Sequence, residues 1–334
     1  MVFMRIAIVK LSALGDIVHA MVVLQFIKKF NKEISIDWIV EESYKELLEL
    51  HPDINKVHPI NLKTAKKRKS LPILLKEFKK VSKFSSYDIV IDMQGLLKSA
   101  LISRIIPSKV TIGFDKNSIR ESIASIFYNK KFEYSYSENI IERNFELIKF
   151  ALEIPINKMD ISHKIPYLFT NKKYDISNIS RIKKNIILIP GASHISKRYS
   201  PEKYSKLTEL LDANYLIVWG NREEKIIAEQ IKVLSPKVNI CNKMTLSSLI
   251  SLFCQVDLVI GSDTGPTHIA WALNIPSITL FGSTPGNRNT YITQINKIIE
   301  SNSKVDPYKI NKKDCSIRDI DVQEILNNAR RLLL

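Results

Sequence analysis

Hydrophobic residues occur along the chain in short, mostly β-branched runs, which alternate with stretches whose apolar positions have helical spacing. Continuous apolar runs are typical of parallel strands covered on both faces, and strand–helix alternation is typical of doubly wound α/β sheets. The pattern predicts strands at residues 5–9, 35–40, 88–92, 110–114, 185–190, 215–220, 257–263 and 277–282.

A polar stretch without a clear period, residues 166–184, separates two groups of strands and is predicted to be a linker. Because 334 residues exceed one ordinary core, we expect two domains. These are residues 1–170 and 171–316, two Rossmann-like doubly wound domains with a cleft between them. Residues 317–334 are predicted to form a C-terminal helix that packs back toward the first domain.

The formal net charge of +16 favours an anionic partner, namely nucleic acid, a membrane surface or a phosphorylated substrate, although the chain is rich in lysine throughout. Basic residues are densest at 61–83, where nine Lys and Arg accompany one acid, and apolar residues there fall near helical spacing. This pattern predicts a basic amphipathic helix. Either the helix lies on an anionic membrane, or its apolar stripe packs on its own domain.

The sequence shows neither a secretory signal nor a run of about 18 uncharged apolar residues, so we expect a cytoplasmic protein.

Ligands of open α/β sheets bind beyond the carboxyl ends of the strands, so the loops that follow strands carry the candidate sites. In "GSDTGPTHIAWAL", residues 261–273, Pro266 suits the first position of a helix and Thr264 or Gly265 suits its cap. The N–H groups of such a helix start bind anions, and His268 can donate to a phosphate oxygen. The alternative is a capped core helix with a buried histidine.

Two further loops in the second half carry charged candidates. Lys197 and Arg198 follow the strand at 185–190 and can neutralise a diphosphate, unless they belong to a solvated basic loop. Glu223 or Glu224 follows the strand at 215–220 and can bind ribose hydroxyls, as the acid of a Rossmann fold does.

Asp16, in "KLSALGDIVHA", follows the first strand at a place where a carboxylate would repel phosphate. We interpret it as a general base that takes a proton from a nucleophile. The alternative is a cap of the following helix. Lys98 and Arg120 follow later strands of the same domain and can hold an acidic substrate, unless they are ordinary surface charges.

Five segments, in order along the chain, resemble motifs of the heptosyltransferases of lipopolysaccharide core assembly: "MRIAIVKLSALGDIVHA", "IDWIVEE", "IDMQGLLKSA", "SIRESIASIFYNKK" and "GSDTGPTHIAWAL". The resemblance covers nearly the whole chain. It implies a GT-B-like fold and an inverting glycosyltransferase that moves L-glycero-D-manno-heptose from ADP-heptose to Kdo of Kdo-lipid A. Within the family the alternative is the member that adds the second heptose, because "PGASHISKRYSP" resembles that form.

The resemblance also implies the roles of particular residues. Asp16 matches the proposed base, and Lys98, Arg120 and Arg143 would hold the carboxylate or phosphates of the acceptor. The donor-binding residues would be Ser193, Lys197, Glu224, Met244, Asp263, Thr264, Gly265 and His268.

The resemblance makes ADP-heptose a substrate and implies no cofactor. No DxD-type carboxylate pair lies beside the expected phosphate site, so we expect no metal. The acceptor would be an anionic glycolipid, and the enzyme would therefore be peripheral on the cytoplasmic face of the inner membrane, in contact with anionic lipid.

Two other functional classes fit the sequence less well. A nucleic-acid-binding protein would explain the net charge, but the sequence has no RRM, helix-turn-helix or zinc signature, and stacking aromatics do not interrupt the basic run. A nucleotide-sugar epimerase or dehydrogenase needs GxGxxG after the first strand, where this chain has "SALGD". We therefore expect no nucleic acid among the partners.

Overall fold

The structure is a computed structural model that describes residues 4–334. Contacts within the chain define two compact units, one ending at Tyr167 and the other running from Leu168 to Leu334. The division falls three residues before the boundary expected at residue 170. It lies at the start of the stretch 166–184, whose regular structure is one 3-10 turn at Ile176–Asn178.

The first unit is built around a parallel six-stranded sheet in the order β3-β2-β1-β4-β5-β6. The central strand β1 has four residues with no exposed surface, Ile6 to Val9, because helices cover both faces of a parallel sheet. The strands are β1 (Arg5–Val9), β2 (Ser35–Glu41), β3 (Lys56–Ile60), β4 (Tyr87–Asp92), β5 (Ser108–Phe114) and β6 (Lys130–Phe132). The helices are α1 (Leu14–Met21), α2 (Val23–Phe30), α3 (Leu62–Arg68), α4 (Leu71–Val81), α5 (Leu97–Ile105) and α6 (Ile140–Leu152).

The second unit repeats this arrangement with a parallel sheet in the order β12-β11-β10-β7-β8-β9. Its strands are β7 (Asn185–Ile189), β8 (Asn214–Ile217), β9 (Asn239–Ile240), β10 (Leu258–Ser262), β11 (Ser277–Phe281) and β12 (Asn296–Glu300). Its helices are α7 (Pro201–Leu210), α8 (Arg222–Leu234), α9 (Leu246–Phe253), α10 (Gly265–Ala272), α11 (Gly286–Asn289) and α12 (Val322–Leu333).

Both sheets have the Rossmann strand order 3-2-1-4-5-6 when the strands of each unit are counted from its start. The strand order reverses between β1 and β4 in the first unit and between β7 and β10 in the second. Loops that leave the carboxyl ends of these four strands therefore surround the ligand positions expected for the fold. The expectation of two Rossmann-like α/β sheets is confirmed.

The strands predicted from the apolar runs are all present, with ends within three residues of those expected. Four short strands were not predicted, namely β3, β6, β9 and β12. The predicted start of α7 is also correct, because Pro201 is its first residue and the Ser200 hydroxyl accepts a hydrogen bond from the Lys203 N–H at 3.1 Å.

The basic segment 61–83 forms two helices, α3 and α4, instead of one. Lys69 lies between them in the left-handed conformation with φ 48°, and Ser70 then caps α4. The apolar stripe of α4 is divided: Val81 is buried in the core of the unit, whereas Leu71 and Leu75 are 70% and 64% exposed.

The C-terminal helix α12 packs in the core of the second unit, and its expected packing toward the first unit stays a prediction. Its apolar stripe, Val322, Ile325, Leu326 and Ala329, is buried in the same core cluster as residues of β7, β8 and β10. No helix within residues 4–334 has the length and apolar character that a membrane span requires.

Candidate active site

The switch point of the second unit contains a largely buried ion pair. Lys197 lies on the loop after β7, and Asp263 is the first residue after β10. The Lys197 Nζ lies 2.6 Å from the Asp263 Oδ2, and the two side chains are only 12% and 7% exposed. Because β7 and β10 are neighbours in the sheet, the fold itself brings these two residues together.

Asp263 accepts three further contacts from separate elements. The Thr284 hydroxyl and the Asn289 amide donate to Oδ2 at 2.9 and 3.2 Å, and His268 Nε2 lies 3.2 Å from Oδ1. Burial alone would raise the pKa of Asp263, but the Lys197 ammonium and the His268 ring outweigh it and hold that pKa well below its usual range. The carboxylate therefore stays charged and fixes the position of the Lys197 ammonium.

Helix α10 begins directly after Asp263. Thr264 is its N-cap in extended conformation and its side chain makes no cap hydrogen bond, while Gly265 and Pro266 are the first two helical residues. Pro266 is therefore one position later than predicted. Both Thr264 and Gly265 are half-buried, so the helix start is accessible to a small ligand. Such a start suits an anion because its N–H groups and helix dipole favour negative charge.

His268 is buried and contacts Asp263. The side chain is 4% exposed, and its Nε2 is directed at Asp263. In this arrangement the imidazole supports the carboxylate, instead of offering that nitrogen to a phosphate oxygen. Direct donation from His268 to a phosphate oxygen stays a prediction.

The remaining predicted donor residues follow the carboxyl ends of three strands of the second sheet, β7, β8 and β9. Glu224 is in the first turn of α8 and accepts from the Gly220 N–H at 2.7 Å. Its side chain passes so close to Gly191 that a Cβ there would lie 2.4 Å from the Glu224 Cγ. Ser193 is exposed, and Met244 is half-buried on the loop after β9.

Arg198, the second cation of the predicted loop, makes its contacts away from Asp263. Its guanidinium pairs with Glu223 at 2.9 Å and also donates to the Ala192 carbonyl. This pair leaves Lys197, rather than Arg198, as the cation at the switch point.

Asp16 lies in the first turn of α1, on the loop side of β1. Its Oδ2 accepts a hydrogen bond from the Ala13 N–H at 3.0 Å, so the residue does cap the helix, as the alternative interpretation held. The residue is half-buried, and this contact occupies one of its two carboxylate oxygens. The capping contact and a role as proton acceptor are therefore compatible.

The loops after β1 and β4 are held together by Gln94 and Lys98. The Gln94 Oε1 accepts from the N–H groups of Leu11 and Ser12, both at 3.1 Å. The exposed Lys98 donates to the Ser12 hydroxyl at 3.2 Å. These contacts place the Lys98 ammonium on the backbone segment that leads to Asp16.

Arg120 is exposed beside the same edge of the first sheet. Its neighbour Glu121 accepts from the Leu97 N–H at 2.7 Å, which joins this loop to the start of α5 next to Lys98. This contact brings Arg120 and Lys98 to one region of the unit, and their role in holding an acidic ligand stays a prediction.

Arg143 is a structural residue, which corrects the prediction that it binds the acceptor. Its side chain is 2% exposed, and its guanidinium donates to the carbonyls of Tyr134, Ser135 and Ser118. It also lies over the Phe114 ring, 4.4 Å from the centroid. A buried guanidinium needs such partners, and here they come from its own unit.

Thr284 and Asn289 were not predicted as part of the site. Both lie in "GSTPGNRN", which follows β11, and the rule that ligands bind after strands applies to this segment as well. Their partner Asp263 is distant in sequence, so no local motif indicated the contact.

Two Rossmann sheets in one chain, with a cation and a helix N-terminus at one switch point and a carboxylate at the other, are the arrangement of a glycosyltransferase that uses a nucleotide-linked sugar. The model of glycosyltransferase family 9 (heptosyltransferase) matches residues 76–319. The chain belongs to this family.

Relatives agree with this assignment, and a solved structure has the same fold. Lipopolysaccharide heptosyltransferase 1 of Campylobacter coli is 39% identical over 344 residues, covering 98% of this chain and 99% of that protein. The protein of the same name from Escherichia coli K12 is 29% identical, with coverage of 85% and 89%. In fold, the chain is similar to the E. coli heptosyltransferase WaaC with ADP, with a TM-score of 0.79, 24% identity and coverage of 98% and 100%.

Proposed function

We propose that this glycosyltransferase moves L-glycero-D-manno-heptose from ADP-heptose to Kdo of Kdo-lipid A. The observation that carries the proposal is the buried Lys197–Asp263 pair beside the start of α10, which is suited to the diphosphate of an ADP-sugar. The relatives named lipopolysaccharide heptosyltransferase 1, which match over most of their length, support the first heptose rather than the second.

The reaction is a single inverting displacement. Asp16 removes the proton of an acceptor hydroxyl as its oxygen bonds to the anomeric carbon of the heptose. The bond between that carbon and the diphosphate oxygen breaks, and ADP leaves with the electron pair. Lys197 and the N–H groups at the start of α10 stabilise the charge that develops on the diphosphate. Lys98 and Arg120 hold the anionic groups of the acceptor. The chemistry assigned to these residues needs no metal or cofactor.

We also propose that α3 and α4 bring the enzyme to the anionic membrane in which the acceptor lies. Residues 66–69 are four consecutive exposed cations, and the exposed Leu71 and Leu75 follow them. Glu41 links this segment to the candidate site, because its side chain accepts from the Lys63 N–H and its own N–H donates to the Leu11 carbonyl. Each Lys or Arg near an anionic surface contributes about 1 kcal/mol to binding.

Mass spectrometry of the products with two acceptors tests the proposed substrate. ADP-heptose and the enzyme should add one heptose to Kdo-lipid A and react far more slowly with heptosyl-Kdo-lipid A. Preferred modification of the second acceptor would reassign the enzyme to the second heptose, and reaction with neither would refute the proposal.

A further inference from the structure

A pocket of about 390 Å³ opens on the first unit, at the edge of the sheet opposite to Asp16. Arg5, Lys56 and Tyr87 line it, and they are the first residues of β1, β3 and β4. The candidate acceptor residues follow the carboxyl ends of the strands, whereas this pocket lies at their amino ends. It is therefore separate from the site described above.

The floor of the pocket is the buried carboxylate of Asp37, and both of its oxygens already accept hydrogen bonds from the protein. Asp37 accepts from the Tyr87 hydroxyl at 2.7 Å and the Asn55 amide at 2.9 Å, and it contacts His58 at 3.2 Å and Arg5 at 3.3 Å. Its side chain is only 2% exposed. Asp37 thus positions its partners and presents little negative charge to the pocket.

The wall and rim of the pocket are cationic. Arg5, Lys56, Lys80 and Lys83 line it, and Asp37 is the one acid among the lining residues. The contact with Asp37 occupies one guanidinium nitrogen of Arg5, which leaves the other two as donors for a ligand. All three lysines are exposed. The Lys80 ammonium donates to the carbonyl of Pro59, another lining residue, at 2.5 Å, which holds it at the pocket and leaves its other N–H groups as donors for a ligand.

One side of the pocket is aromatic. The rings of His58 and Phe84 lie 4.2 Å apart between centroids, and the Arg5 guanidinium lies 4.8 Å from the centroid of Tyr87. A volume of this size lies within the range of small-molecule sites, in which flat apolar surfaces hold the body of a ligand and a few polar groups fix its orientation.

We propose that this pocket binds a phosphate monoester, with Arg5, Lys80 and Lys83 holding the phosphate and the aromatic side contacting the body of the molecule. An arginine fork and neighbouring ammonium groups match the several acceptor oxygens and the double charge of such a phosphate. The same group can be supplied by a soluble sugar phosphate or by a lipid with a phosphomonoester head group.

Calorimetry with the full chain and glucose 6-phosphate tests the soluble source, with glucose as the neutral control and saturating ADP present to occupy the donor site. We expect saturable binding that K80Q/K83Q weakens by about tenfold or more, because two charge-assisted contacts are lost. The matched control is K76Q/K79Q, which removes the same charge from exposed positions of α4 outside the pocket and should change the affinity less than about twofold.

Sedimentation with phosphatidylcholine vesicles that contain phosphatidic acid, a monoester, or phosphatidylglycerol, a diester, tests the lipid source. Preference for phosphatidic acid that is lost in K80Q/K83Q and kept in K76Q/K79Q would support the site with a lipid ligand. Pocket-dependent binding of neither probe, or equal loss in both variants, would overturn the proposal. Neither readout involves heptose transfer, so the outcome is independent of the proposed transfer reaction, and the preference for monoester over diester separates this site from general binding to anionic membrane.

Discussion

At the scale of single residues, Asp263 organises the second unit's site. Lys197 and Thr284 come from the loops after β7 and β11, His268 and Asn289 come from helices α10 and α11, and all four contact this buried carboxylate. An ammonium held in this way is positioned before a ligand arrives, which reduces the cost of ordering it on binding.

Lys197→Ala should therefore weaken ADP binding and slow turnover together, because the diphosphate loses its cation in both the bound and the reacting state. A charge-assisted hydrogen bond of about 1.5–3 kcal/mol corresponds to a loss of roughly 10- to 150-fold in affinity. Calorimetry with ADP and initial rates measure the two effects. Lys206→Ala, an exposed lysine of α7, is the control. Unchanged affinity and rate would remove Lys197 from the site.

Asp37 gives a prediction about pH. Burial raises its pKa, but hydrogen bonds from His58, Asn55 and Tyr87 outweigh this effect and lower the pKa from 3.8 to about 2. A depressed carboxyl pKa adds stability that is complete above about pH 4 and is lost as the pH falls toward 2. At neutral pH the contribution is about 2 kcal/mol.

Asp37→Asn should thus be less stable than the parent chain at pH 6, and the difference should shrink by about 1 kcal/mol at pH 3. Urea denaturation at the two pH values measures the free energies of unfolding. The exposed Glu33→Gln on the same unit serves as the control. A difference that stays constant between pH 6 and pH 3 would show that the Asp37 charge does not stabilise the fold.

At the scale of elements, the division of the segment 61–83 into α3 and α4 decides which apolar residues remain exposed. Leu74 and Phe78 pack against the core, so the remaining apolar surface is confined to the start of α4, next to the cations at 66–69. This arrangement combines both interpretations of the sequence: part of the stripe packs on its own unit, and the rest is available to a membrane.

Changing Lys66, Lys67, Arg68 and Lys69 to Ser should weaken salt-reversible binding to anionic vesicles and raise the apparent KM for lipid-embedded acceptor. Turnover on a short soluble Kdo acceptor should change much less, because only the lipid contact is removed. The control changes four exposed lysines of the second unit, Lys172, Lys173, Lys206 and Lys237, to Ser. Equal loss on both acceptors would assign the segment to the sugar, and no loss on either would leave it a solvated face.

A comparison of the predicted strands with those that were not predicted shows which strands a hydrophobic pattern can identify. The central strands, such as "RIAIV" and "NIILI", are continuous apolar runs because both of their faces are buried. Outer strands such as β3, "KVHPI", and β12, "NKIIE", mix charged residues with apolar ones and resemble loops in sequence. The edge strands β6 and β9 have only three and two residues.

Some residues of the candidate site could likewise be predicted from the sequence, and others could not. Lys197 was predicted because it lies on a loop that follows a predicted strand, which is where ligands bind in this fold class. Asp263 was predicted only from the resemblance to the family. Arg143 was wrongly assigned to the acceptor because its partners are backbone carbonyls. Every residue has such a carbonyl, so no residue type in the sequence indicates these contacts. Asn289 was missed because its contact with Asp263 joins residues 26 positions apart.

At the scale of the whole molecule, the two units have one architecture and different chemistry. Each uses the switch point of a Rossmann sheet, but the second presents a cation and a helix start and the first presents the carboxylate of Asp16. In the proposed function, the second unit binds the donor and the first activates the acceptor. These separate roles of the two units require that Asp16 acts as a base and not only as a helix cap.

The most direct test is the turnover of Asp16→Asn with ADP-heptose and Kdo-lipid A. The Asn side-chain oxygen can still accept from the Ala13 N–H, so this variant keeps the cap and loses only the ability to take up a proton. ADP affinity and thermal stability should match the parent chain, while kcat should fall by about 10²- to 10⁴-fold. A variant that retained nearly full kcat would show that Asp16 is only a cap and would contradict the mechanism.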